Sequence, residues 1–256
     1  MRLFLFILTV LPILSYGQVK ESDTLKLKAR LSVTGLFQEG NVQTTIFRTK
    51  TEFQYKPLKD LIYQNTSSYI YQAFGGVKAD EDILSLNFLT YKSENRIYPF
   101  ALTFISTNFR REIGVRYLMG GGLTADFLKK KKSTLKLSLS SEVERTRFSN
   151  TNFNQNQYDG KAQVNTLRGT VWLYGRHSLF NDKVILFHES YVQPSLLEKE
   201  NFRWRGELGM EFPVFKHLSF QVDYWHTFES LVITGQEQAD RFLTFGIVLR
   251  SYEESL

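Results

Sequence analysis

The 256-residue sequence contains no cysteine. Disulfides, thiolate metal sites and a bacterial lipid anchor on cysteine are thereby excluded. After Leu14 no apolar run approaches the ~20 residues of a transmembrane helix, and no helix-period stretch is long enough to make a second domain. No internal repeat stands out. Neither sign of charge dominates: 32 Lys and Arg against 26 Asp and Glu give a net charge of +6, a modest basic excess that suits an envelope rich in anionic lipid. His177, His217 and His226 show no metal-ligand spacing, and the carboxylates are scattered singly, so no metal centre or catalytic acid pair can be read from spacing. Gly120-Gly121-Gly122 lacks the following Lys-Ser/Thr of a phosphate loop and lies inside a strand pattern, where glycine relieves crowding or sharpens curvature. No cofactor is expected.

What is present begins with an export signal. Arg2 is a minimal positive region, Leu3 to Leu14 an apolar core, and Ser15-Tyr16-Gly17 a small-x-small cleavage site. Residues 1–17 are expected to be removed, leaving 18–256 as one domain. The apolar core, roughly 12 residues long, is too short for an anchor.

The rest alternates. Leu135, Leu137, Leu139 and Val143 point one way, and Lys136, Ser138, Ser140, Glu142 and Glu144 the other. The same period runs through Leu25 to Thr34, Phe47 to Tyr55, Leu61 to Phe74 and Ile83 to Lys92. A fifth strand carries Tyr98, Phe100, Leu102 and Phe104 on one face, and its return, Ile113 to Leu128, has Tyr117, Met119, Leu123, Ala125 and Phe127 in step. Thr134 to Phe148, Lys161 to Gly175, Val184 to Gln193, Phe202 to Phe212, Leu218 to Glu229 and Arg241 to Tyr252 bring the count to about twelve. A mean hydropathy of −0.26 would suggest a soluble chain, but alternating strands cancel in such an average. The 22 Phe and 13 Tyr fit the aromatic girdles of a barrel in a bilayer. Because lipid leaves no sheet edge tolerable, the expected fold is all-β: a closed antiparallel transmembrane up-and-down barrel in a Gram-negative outer membrane.

Connection lengths agree with periplasmic termini. Lys56–Asp60, Ser93–Arg96, Lys129–Ser133, His177–Lys183 and Pro213–His217 read as compact turns. Gly75–Asp82, Ser149–Gly160, Pro194–Glu200 and Ser230–Asp240 read as longer outer loops, whereas Glu39–Asn41 and Asn108–Glu112 are short for that side. A charge facing lipid at midplane costs about 2–4 kcal/mol. Arg48, Lys50, Glu52, Glu142, Glu144, Glu189, Arg203, Arg205, Glu207, Glu211, Asp223 and Glu229 are therefore expected in the lumen. Mixed signs there can pair and close the interior, whereas an open selective pore tends to one dominant sign.

Leu31-Ser-Val-Thr-Gly-Leu-Phe-Gln-Glu-Gly-Asn41 resembles the opening strand and Gly-Asn turn of the salt-induced outer-membrane protein family, domain of unknown function 481. Arg96-Ile-Tyr-Pro-Phe100, Arg110-Arg-Glu-Ile-Gly-Val-Arg116 and Gly120-Gly-Gly-Leu123 are similar to its central hairpin. The resemblance implies an outer-membrane barrel and brings no chemistry with it; Val42-Gln43 depart from the expected small polar pair. Phe242 to Tyr252 resembles the terminal assembly signal of such barrels: Gly246 and Leu249 fit, and Tyr252 lies one position off. The barrel-assembly machinery and outer-membrane lipid are the expected partners.

Two motifs invite chemistry. His188 and Ser190 emerge on one face of a strand, and an imidazole so placed can activate a hydroxyl as a nucleophile; Asn201 would be the orienting third member. Against this lipid-hydrolase alternative, Asn201 alternates with Arg203 and Arg205, while His188 and Ser190 alternate with Leu186 and Val192, which puts them on opposite sides of the wall. Lys129-Lys130-Lys131-Lys132 could attract an anionic lipid or partner, although a solvated periplasmic hairpin turn is the favoured explanation. Nucleic acid is not an expected partner of an exported chain. Loop Ser149–Gly160, with Asn150, Asn152, Asn154 and Asn156, could bind a sugar or ion, but a plain flexible outer loop is the favoured reading. A monomeric barrel, structural or a narrow passive pore and not an enzyme, is the expectation. The other alternative is a periplasmic barrel that turns its apolar faces inward around a ligand.

Overall fold

The computed structural model describes residues 27–38 and 43–250. The export signal, the Glu39–Asn41 turn and Tyr252 lie outside the described residues. Twelve strands form the described chain: β1 (Leu27–Gln38), β2 (Thr44–Leu58), β3 (Leu61–Phe74), β4 (Val77–Tyr91), β5 (Ile97–Asn108), β6 (Ile113–Lys130), β7 (Ser133–Phe148), β8 (Gln163–Leu179), β9 (Val184–Pro194), β10 (Phe202–Phe215), β11 (Leu218–Glu229) and β12 (Ala239–Arg250). Each pairs antiparallel with its sequence neighbours, and β1 pairs β12 to close the barrel. Closure gives every wall strand a ladder on both sides, which is what a bilayer demands. Among the described residues the seam ladder runs from Arg30↔Arg250 to Thr34↔Gly246.

The strands end at two unlike rims. At one, compact turns join β2–β3, β4–β5, β6–β7, β8–β9 and β10–β11; at the other, residues 149–162, 195–201 and 230–238 form the longer loops. The expected long loop at Gly75–Asp82 is a correction. β4 starts at Val77, so Gly75 and Gly76, with φ of +57° and +77°, make a two-residue hairpin turn. Only that backbone region matches the twist of the flanking strands.

The alternation holds on most of the wall. On β7, Leu139 and Val143 are exposed on the outer face, while Glu142, Glu144 and Thr146 are buried inside. Tyr98, Phe100, Leu102 and Phe104 share a face as expected, but a second correction is that Tyr117 and Met119 of the return strand are on the other one. Tyr98, Phe100 and Leu102 are buried, and the outward side carries Ile97, Ala101, Thr103 and Ile105. Register explains it. Phe100 lies opposite Gly122 and Leu102 opposite Gly120, whereas outward Thr103 meets Met119 and Ile105 meets Tyr117. With glycines at the inward positions of β6, large side chains of β5 have interior space to fill. A Cβ on Gly120 would strike the backbone of Ser141 and Glu142.

Candidate functional site: the barrel interior

The lumen has an apolar side and an ionic side. On the apolar side Phe88 of β4 reaches Trp172 of β8, ring centroids 5.5 Å apart, with Phe100 at the same distance from Phe88. The intervening strands present Gly120, Gly122 and Ser138 at that height, so rings from separated strands can meet over them. Trp172 also stacks edge-on with Tyr191 at 5.7 Å.

The ionic side is layered. Nearest the loops, three guanidinium groups surround Glu144 as ion pairs: Arg203 at 2.8 Å, Arg168 at 3.0 Å and Arg116 at 3.5 Å. Arg116 also clasps Glu229 at 2.7 Å, and Arg111 bridges Glu229 at 3.2 Å to Asp240 at 2.8 Å. The space they enclose with Asn201 and Leu231 is a cavity of about 10 Å³, room for one water at most. Midway, Trp225 lies on Phe242 with centroids 3.9 Å apart, and the guanidinium groups of Arg48 and Arg205 sit 4.9 and 4.7 Å from its ring. Arg48 reaches Asp223 at 3.5 Å, and Arg205 pairs with Glu207. Toward the turns, Arg30 joins Glu52 at 2.9 Å and also holds Glu211, which Arg176 meets at 3.3 Å; Lys50 pairs with Glu52 at 3.0 Å. Glu142 takes the Thr170 hydroxyl at 2.7 Å, and Glu189 faces Glu207 across the β9–β10 ladder.

The loops close the upper rim. Phe153 pairs with Ile233 in an isolated bridge and packs edge-on against Phe148 at 4.8 Å; with Tyr158, Val164, Leu231 and Ile113 they form a buried cluster. Asn154 donates its backbone N–H to the Val232 carbonyl at 3.0 Å and accepts the Val232 N–H in return. Thus Asn154 ties two loops together, while Asn150 serves turns within its own loop. Burial raises the Tyr158 phenol above its ordinary range. A cleft of about 1020 Å³ opens beside this cap between residues 107–114 and 235–240.

His188 lies on the outer wall over Gly175, stacked on His177 at 5.5 Å, with exposed Ser190 two residues on. Asn201 is buried under the loops, where it accepts from Arg168 at 2.8 Å and donates to the Tyr158 hydroxyl at 3.1 Å. The three are not brought together. In the lysine run, Lys129 reaches the Ser93 carbonyl at 2.7 Å and Asp126 at 3.2 Å, and Lys132 holds Asp182. Asp182 ends three consecutive left-handed residues, Phe180, Asn181 and Asp182, each a strained conformation for a side chain that is not glycine. Lys132, with Ser178 also donating, pins that turn and lowers the Asp182 carboxyl below its usual range.

Arg30, Arg116, Arg168, Arg176 and Asp126 are interior charges missing from the expected lumen set. Arg30 carries a plain signal, since it alternates with Leu31 and Ala29. Arg116 and Arg168 sit beside glycines and aromatics that blur the period.

A closed twelve-strand barrel with an apolar belt and a charged interior is an outer-membrane β-barrel. Residues 31–250 match the family described as "Protein of unknown function, DUF481", and the chain belongs to that family. No curated protein matches it. Among solved structures, the NanC porin superposes with a TM-score of 0.52 at 8% identity, over 87% of this chain and 99% of that one. The translocator domain of the autotransporter NalP from Neisseria meningitidis gives 0.43 at 11% identity, covering 90% of each chain. A bacterial polysaccharide outer-membrane secretin gives 0.44 at 9%, over 88% and 98%. Identities this low bear on the fold alone.

Proposed function

We propose that this barrel is a narrow passage for small polar solutes, shut at rest by its own paired charges. The Glu144 centre with Arg116, Arg168 and Arg203 carries the reading. A wall needed only for mechanical support would be served as well or better by apolar filling, because buried ion pairs rarely repay their desolvation. Here Phe88, Phe100 and Trp172 already fill one side, yet the other side keeps charges. Such pairs can exchange partners or take up water and part, which packed rings cannot do without exposing apolar surface. The loop cap of Phe153, Leu231 and Ile233 would restrict the outer mouth, with the neighbouring cleft as the approach from outside. The last strand, with Gly246 and Leu249, would be the part offered to the assembly machinery.

Liposome swelling tests this reading. Vesicles holding the refolded barrel should swell slowly in a pentose and not in a trisaccharide, and Glu144→Gln should quicken the pentose rate. No swelling in either protein, with the barrel folded, would leave a purely structural role, which the filled lumen also supports.

A further inference from the structure

On β2 to β5 the outer face departs from the rest of the wall. Thr51, Asn65, Ser67, Ser85, Asn87 and Thr103 point outward together, held in adjacent positions by the ladders Thr51↔Ser67, Ser67↔Ser85, Asn65↔Asn87 and Asn87↔Thr103. On β4 and β5 the inward neighbours Leu86, Phe88, Leu102 and Phe104 are apolar, so there the wall is polar outside and apolar inside, whereas β2 and β3 carry polar side chains such as Glu52 and Gln64 inward as well. The patch sits between aromatic or aliphatic rows: Tyr69 and Ile83 toward the loops, Tyr63, Leu89 and Tyr91 toward the turns. That is hydrocarbon depth, where water cannot complete a hydrogen bond.

The patch is organised. Asn65 donates to Asn87 at 2.8 Å and to Ser85 at 3.1 Å, Ser67 donates to Asn65 at 2.9 Å, and the Tyr63 hydroxyl donates to Asn87 at 2.6 Å. Asn87 donates one N–H to Ser85 at 3.4 Å. An amide carries two donors and two acceptor sites and a hydroxyl both roles, so the second N–H of Asn87 and the Thr103 hydroxyl remain for a partner. By contrast β12 offers Leu243, Phe245 and Ile247 to lipid, all exposed.

We infer that this patch is a two-fold interface with a second copy of the same chain. The surface carries no formal charge, and amides and hydroxyls are both donor and acceptor, so the patch complements itself when rotated onto its copy, as an isologous contact requires. Lipid tails and charged headgroups offer no such match at that depth. Four strands at ~4.8 Å spacing by a belt ~25 Å tall give ~480 Å² on each side. Two such faces, flanking tyrosines included, come to ~960 Å², close to the ~1,000 Å² at which specific interfaces begin. The monomer expected from sequence gives way to a dimer, and this holds whether or not the lumen conducts.

The chain has no cysteine, so single thiols report cleanly. Ser85→Cys, Ser67→Cys and, on the opposite wall, Leu243→Cys would be oxidised in native membranes with copper phenanthroline, folding being checked by heat-modifiable migration. Ser85→Cys or Ser67→Cys should give a non-reducing band at twice the barrel's mass, at least fivefold stronger than Leu243→Cys, and adding Asn87→Leu should weaken it. Native mass measurement of the unsubstituted barrel in lipid nanodiscs should give two copies. Equal cross-linking on both walls, a cross-link to a protein of other mass, or a single copy in nanodiscs would overturn the inference.

Discussion

Replacing Glu144 with Gln takes the negative charge from the centre of three guanidinium groups within 3.5 Å. The Glu144 side chain is 2% exposed and those of Arg168 and Arg203 are 4% and 6% exposed. If that centre is as dry as its geometry, the substitution strands buried positive charge, which costs about 3–5 kcal/mol. If water fills the lumen, the same pairs resemble surface pairs and are worth ~0–1 kcal/mol. The two cases are far enough apart to measure. Urea titration of the refolded barrel in phospholipid vesicles, followed by circular dichroism, would read the difference. We expect a loss near 3 kcal/mol or more, with a shift of the lumen toward anion preference. A loss under ~1 kcal/mol would refute a shut, dehydrated interior.

Other outcomes follow from the same geometry. Gly120→Val drives a side chain into the β7 backbone and should abolish the heat-modifiable folded band, while Gly206→Ala, whose Cβ meets only the Ser190 hydroxyl at 3.7 Å, should fold. Phe153→Ala removes a ring 2% exposed and should cost the cap about 3–5 kcal/mol, read as faster tryptic cleavage at Lys161. The lowered Asp182 carboxyl implies that the Lys132 clasp contributes fully above the ordinary Asp value of ~3.9 and is lost as pH falls through the lower folded value. Amide exchange at Ser178, whose N–H bonds the Lys132 carbonyl at 2.8 Å, should rise only there, and Asp182→Asn should remove the transition. Phospholipid hydrolysis in micelles should be absent from both the parent and Ser190→Ala; activity lost in the variant would restore the His188–Ser190 nucleophile.

The alternation was legible wherever charge marked one side. Glu142 and Glu144 fix the facing of β7, and Glu189 alone fixes His188 and Ser190 outward. Strands β3 to β5 were not legible in this way. A run such as Phe100, Leu102, Phe104 suits lipid and lumen equally, and what decides is its register against Gly120 and Gly122, a non-local fact. Inward Arg116 and Arg168 were hidden because their strand neighbours include glycine, whose lack of a side chain erases the period. The loop cap was illegible for another reason. Phe153 stands alone among asparagines, and its apolar partners Leu231 and Ile233 belong to a different loop. The Gly75-Gly76 turn could have been read as a hairpin, since paired glycines supply the two positive φ values such a turn needs.

The most direct test of a passage shut by its own charges is single-channel recording of the unsubstituted barrel in a planar bilayer. Folding would first be confirmed by heat-modifiable migration. The account predicts long closed intervals broken by brief, discrete steps of small size, made more frequent by Glu144→Gln. A steady, large conductance from the moment of insertion would contradict the closed interior, and silence at every voltage in both proteins would contradict the passage.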